Sequence, residues 1–220
     1  MYSFILLLFF ISTVVQSYTK IQLNSTNVIT IRDEIDDAVA SQFIYKLNLL
    51  QNKNVYVYLD TPGGSIESGN KILMEIQKYN LSCIADRAYS MGFVLLQACN
   101  TRYIRPYGKL MQHQISYAIK NEKGKIDNYA KFVDQLEETL LDVQSAKIGL
   151  EPAELKLKTM NEWWLIGKYA KENNCVDDIA DVFCSHKMTT SNYTENIGPY
   201  TFVYSNCPLI SDPIDVHLVK

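Results

Sequence analysis

Residues Val55-Tyr56-Val57-Tyr58-Leu59-Asp60-Thr61-Pro62-Gly63-Gly64-Ser65 carry the decision about the fold. The first five, β-branched and aromatic, read as a strand, and Asp-Thr-Pro-Gly-Gly reads as the turn that closes it. A helix then opens at Ser65 or Glu67 and runs to Gln77, with Ile72, Leu73 and Ile76 facing inward. Upstream, Val28–Ile31 is a short strand. Glu34–Leu50 follows as a helix, with Val39, Phe43, Leu47 and Leu50 at helical spacing behind an acidic first turn. Downstream, Ser82–Arg87 is a strand and Ser90–Cys99 an apolar helix. This β-α-β-α rhythm calls for a parallel sheet with crossover helices, an α/β fold.

Composition narrows the function classes. A chain of 220 residues suits one domain. With 24 acidic and 21 basic side chains the net charge is −3, which leaves no footprint for nucleic acid. Nine Gly and six Pro exclude collagen-like or low-complexity chains.

The first residues stand apart. Met1–Thr19 has no charged side chain, and Phe4–Val15 is almost wholly apolar. Twelve helical residues rise only about 18 Å, short of a bilayer core near 30 Å. With small residues at Val15-Gln16-Ser17, residues 1–17 read as a secretory signal peptide and 18–26 as a lead-in. Three N-glycosylation sequons begin at Asn24, Asn80 and Asn192, each in an expected loop, and agree with a secreted or endoplasmic-reticulum location. Of five cysteines, an oxidising compartment would pair some and leave one over. Cys175, Cys184 and Cys207 fall where a disulfide could tie down a tail, whereas Cys83 and Cys99 sit in apolar runs and read as buried free thiols. No Cys-x-x-Cys pair supports a zinc ribbon or a redox motif, and no metal is expected.

Ile126, Tyr129, Val133, Leu136, Leu140 and Val143 make a heptad seam along a helix over 126–148. Such a stripe serves equally as a core-facing side or as a contact with a second subunit. After about Phe183 the pattern dissolves, so the domain is set at 27–183 and an irregular Cys-containing tail at 184–220.

Three features could carry chemistry. Ser90 sits between strand and helix, where the helix's free N–H groups could hold an oxyanion; it is equally an ordinary N-cap. His113 lies at a strand end, as structural histidines also do. Gly63 and Gly64 let backbone approach a ligand, or simply make a turn.

Taken in order, Tyr58-Leu-Asp-Thr-Pro-Gly-Gly-Ser65, Tyr89-Ser-Met-Gly-Phe-Val-Leu-Leu96, Met111-Gln-His-Gln114 and Val176-Asp-Asp-Ile179 resemble the proteolytic subunit of the Clp protease, a serine peptidase family. The resemblance implies a crotonase/Clp-protease-like spiral of β-α-β units with a long protruding handle helix, and a ring-shaped homo-oligomer contacting through 126–148. It implies Ser90 as nucleophile, His113 as general base, and an oxyanion hole from Met91 with Gly63 or Gly64. No cofactor is implied. The substrate would be a peptide or unfolded polypeptide, with no nucleic acid and no membrane span once the leader is removed. The family's acid does not carry over: counted without gaps, its place falls on Lys158, with Glu154, Glu162 and Asn161 as possible replacements and Lys158 itself as a possible base. Two readings follow, a serine endopeptidase or a catalytically impaired pseudoprotease kept for assembly or binding. A crotonase-like acyl-CoA enzyme is a third, without a sequence cue for CoA. The linker to His113 is two residues shorter than the family pattern, and a leader replaces the axial segment. In a secreted chain the family's ATPase partner is not expected.

Overall fold

The computed structural model describes residues 17–50 and 54–219. The leader expected over 1–17 lies, but for Ser17, outside the described residues.

A seven-stranded sheet forms the frame. Strand β1 (Thr19–Leu23), β2 (Val28–Ile35), β3 (Tyr56–Gly64), β4 (Ser82–Tyr89), β5 (Arg102–Gln112) and β7 (Asp178–Cys184) run parallel in the order β1-β7-β5-β4-β3-β2. Strand β6 (Trp163–Ile166) adds antiparallel to β5. Crossovers come from α1 (Asp37–Leu49), α2 (Ile66–Lys78) and α3 (Met91–Ala98). Asp36 caps α1 by accepting from Val39 N–H at 2.8 Å, and Ser65 caps α2 by accepting from Ser68 N–H at 3.3 Å.

Strand alternation divides the core in two. Ile29 and Ile31, Val57 and Leu59, and Cys83 and Ala85 point to the helices and join Phe43, Leu47, Ile72, Ile76, Phe93 and Leu96. The intervening Tyr58 and Ile84 point the other way, to Ile21, Leu23, Ala180, Val182, Met188 and Cys207. The second face is therefore covered by the C-terminal segment.

That segment corrects the expected irregular tail. After α7 (His186–Thr190), strands β8 (Asn192–Ile197), β9 (Tyr200–Ser205) and β10 (Asp215–Leu218) form an antiparallel sheet. A Cys184–Cys207 disulfide joins the end of β7 to the chain after β9, with Cα atoms 5.8 Å apart. Arg32 Nη2 donates to Pro208 O at 2.9 Å, and Ser211 Oγ to Asp60 Oδ2 at 3.1 Å.

Three further expectations change. Cys83 and Cys99 are buried but paired, because the short α3 brings the chain back level with the start of β4. Cys175 is the free, buried thiol. The Asp60–Gly64 stretch is the end of β3 rather than a turn: past a bulge, Gly63 and Gly64 pair with Glu34 and Ile35 of β2, which stays extended to Ile35 and delays α1. A Cβ on Gly64 would lie 2.4 Å from Ile35 O, so only glycine allows this approach.

The heptad seam lies on α4 (Lys123–Ile148). Its C-terminal half packs on the core through Leu140, Gln144, Ser145 and Ile148. In its N-terminal half Val133 is buried, while Tyr129 and Phe132 are exposed and cluster with Tyr117. A short α5 (Pro152–Thr159) and α6 (Gly167–Glu172) complete the domain. Among the described residues no helix is long and apolar enough to cross a membrane.

Candidate active site

The C-terminal ends of β3, β4 and β5 are neighbours, and the site is built there. The register Tyr89↔Met111 places the residues just beyond, Ser90 and the chain to His113, side by side. Ser90 has φ 51° and ψ −118°, a conformation that costs a non-glycine residue roughly 1–3 kcal/mol and that surrounding structure must impose. Its N–H donates to Met111 O at 2.8 Å, and its C=O accepts from Phe93 and Val94 N–H, which fixes the elbow on both sides. The side chain makes no cap bond to α3. Instead, Ser90 Oγ lies 2.9 Å from His113 Nε2.

Gly63 backs this elbow. Its φ is +99°, and a Cβ there would stand 2.7 Å from Ser90 Cβ and from Tyr89 O, and 3.1 Å from Met91 N. Met91 is the first residue of α3, so no carbonyl within the helix accepts its N–H. The Gly63 N–H donates to Thr61 Oγ1 at 3.1 Å, while Thr61 Oγ1 donates to Asp33 O at 2.5 Å. Thr61 thus holds the glycine turn rigid. One of the two glycine amides, that of Gly63, is thus already committed within the turn.

The third position lies just past the β5–β6 ladder. Its last pair is Gln112↔Trp163, and the residues next to that pair, His113 and Glu162, lie outside both strands, Glu162 with φ 62°. The two line one pocket of about 380 Å³ with Gln114, Ile115, Ser116, Tyr117 and Met160. Glu162 Oε2 accepts from Trp164 Nε1 at 2.9 Å, and the Trp164 ring packs edge-on against Tyr89, next to Ser90. Among the described residues no carboxylate is bonded to either ring nitrogen of His113. Glu162 therefore shares the pocket without engaging the imidazole. The other three candidates are not brought there. Lys158 Nζ stands 5.3 Å over the Trp163 ring and 4.0 Å from Glu154 Oε1, so those two face each other along α5. Asn161 is exposed.

Two residues of the site gave no signal in the sequence. Gln112 and Gln144, both buried, join β5 to α4 directly beneath His113. A glutamine one residue from the seam of a long helix looks like a solvated position until the helix is docked. Of the sequon residues, Asn80 and Asn192 are exposed and Asn24 is half-buried. Among the described residues no group of His, Cys, Asp and Glu is arranged to hold a metal.

Comparison with known proteins follows the same residues. The family model for Clp protease matches residues 13–182. Proteins named ATP-dependent Clp protease proteolytic subunit, from Borrelia garinii subsp. bavariensis and Borreliella afzelii, are each 30% identical over 162 residues. The match covers 69% of this chain, and 83% and 82% of theirs respectively.

Proposed function

The chain belongs to the Clp protease family, and from that premise we propose that it is a serine endopeptidase cutting peptides or unfolded polypeptides without a cofactor. The observation that carries this is the 2.9 Å contact between Ser90 Oγ and His113 Nε2 on a strained elbow. Serine is a poor nucleophile until a base within hydrogen-bond reach takes its proton. His113 removes that proton as Ser90 Oγ attacks the scissile carbonyl, then delivers it to the leaving amine. Water repeats the cycle on the acyl-enzyme. The amides of Met91 and Gly64 receive the oxyanion, preorganised by the start of α3 and by Thr61. Glu162 orients the imidazole once its free oxygen turns to Nδ1. The test is cleavage of an unfolded polypeptide by the purified protein, with Ser90→Ala as control. Cleavage that persists in Ser90→Ala refutes the assignment.

A second reading has its own observation: among the described residues no carboxylate is bonded to His113. In a pseudoprotease the chain assembles or binds and Glu162 never engages. Full folding with no hydrolysis would select it.

The exposed Tyr129 and Phe132 on the N-terminal half of α4, with Tyr117 from the chain before it, support self-association through that helix, in a ring by family analogy. The apolar leader, the exposed sequon residues Asn80 and Asn192 and the two disulfides support a secreted or endoplasmic-reticulum location, where an ATPase partner is not expected.

A further inference from the structure

A chain of amides runs from the α4 helix to His113. Gln144 Nε2 donates to Leu140 O, one turn back on its own helix, at 2.7 Å. That commits its amide nitrogen and turns its Oε1 toward β5, where it accepts from Gln112 Nε2. Gln112 Oε1 in turn accepts the backbone N–H of His113 at 3.2 Å. Gln112 is 6% exposed and Gln144 2%, so water does not compete for these groups. The direction is fixed along the chain, because turning either amide over would set donor against donor or acceptor against acceptor.

His113 has particular need of such a hold. It is the first residue beyond β5, past the last ladder pairs Met111↔Trp164 and Gln112↔Trp163. Its N–H is held by the side chain of its own neighbour, and that side chain is oriented by a residue on another element. Neither glutamine is hydrogen-bonded to Ser90, and neither lines the pocket beside His113.

We infer that Gln112 and Gln144 are positioning residues for His113, with Gln144 setting the orientation of Gln112 and Gln112 fixing the backbone that aims the imidazole at Ser90. The inference rests on the peptidase reading of Ser90 and His113. Removing the hold displaces the base by a fraction of a bond length or more. Misplacement of about 1 Å can cost a reaction roughly 100-fold.

The experiment compares kcat, KM and thermal midpoint of peptide hydrolysis in wild type, Gln144→Leu and the double variant Gln112→Leu/Gln144→Leu. Gln144→Leu strands the buried Gln112 amide, so both kcat and the thermal midpoint fall. The double variant leaves no unpaired side-chain amide, and its thermal midpoint returns toward wild type. Its kcat is expected to stay roughly 10- to 100-fold low with KM within about twofold, because His113 N–H is still unheld. If kcat recovers together with the midpoint, the pair is only packing and the inference is overturned. If Gln144→Leu does not fold, the double variant alone decides by the same criterion. A folded wild type without hydrolysis overturns the peptidase reading, and the inference with it. An active wild type with a fully active double variant overturns the inference alone.

Discussion

Replacing Glu162 by Gln removes a charge and leaves an oxygen to accept from Trp164 Nε1, so the pocket wall is kept while the electrostatics change. The structure bounds the effect. Glu162 is exposed, and it reaches His113 only by turning within their shared pocket. A unit charge about 4 Å from the imidazolium is worth roughly 1 kcal/mol at a dielectric of about 80 and roughly 4 kcal/mol at about 20. At about 1.4 kcal/mol per decade, that is roughly 5- to 1000-fold in kcat. The buried acid of a Ser-His-Asp site is worth about 10⁴-fold, which an exposed carboxylate should not match. The assay is kcat for peptide hydrolysis by wild type, Glu162→Gln and Lys158→Met. The expectation is a loss within that window for Glu162→Gln and less than twofold for Lys158→Met, whose side chain lies over Trp163. A wild-type rate in Glu162→Gln, or a large loss in Lys158→Met, refutes the assignment made from the shared pocket.

Other consequences can be measured directly. Gly63→Ala forces a Cβ to 2.7 Å from Ser90 Cβ at a φ of +99°, so hydrolysis should be abolished and the midpoint of denaturation lowered. Removing the Cys184–Cys207 link, which spans 23 residues, should cost about 3 kcal/mol by chain entropy and open the C-terminal segment to limited proteolysis. For Asp177, burial alone would raise the pKa, but side-chain and backbone hydrogen bonds from Arg102 outweigh it and hold the carboxyl below its usual range. A depressed folded pKa gives stability that is present above the unfolded value of about 3.9 and lost as pH falls through the folded one. Asp177→Asn should therefore flatten the acid limb of a stability-against-pH curve. Burial pushes the Cys175 thiol up to about 12, so iodoacetamide should label it only in the unfolded chain.

Much of the parallel sheet was legible because its strands obey simple rules. Val57 and Leu59 alternate with Tyr58, and each set found its own core. What was missed depends on pairing between distant segments. Gly63-Gly64 has turn composition, yet the glycines serve a close approach to Ile35 that only the neighbouring strand makes necessary. Cys83 and Cys99 have the apolar surroundings of free thiols, and only the length of α3 brings them together. In β8–β10 the residues are largely exposed, so no strong apolar period announces the strands. Counting along the chain set Lys158 where an acid was sought, whereas the chain just past the β5–β6 ladder brings Glu162 into one pocket with His113. Ser90 and His113 were legible as residue types in sequence order; their 2.9 Å contact belongs to the register of β4 on β5.

The central claim is that Ser90 is a nucleophile activated by His113. Reaction of the folded protein with a fluorophosphonate, followed by mass spectrometry of the peptides, tests it most directly. The account predicts a single adduct on Ser90, absent in Ser90→Ala and strongly slowed in His113→Ala. A folded protein that takes up no probe, or carries it on another residue, would contradict it.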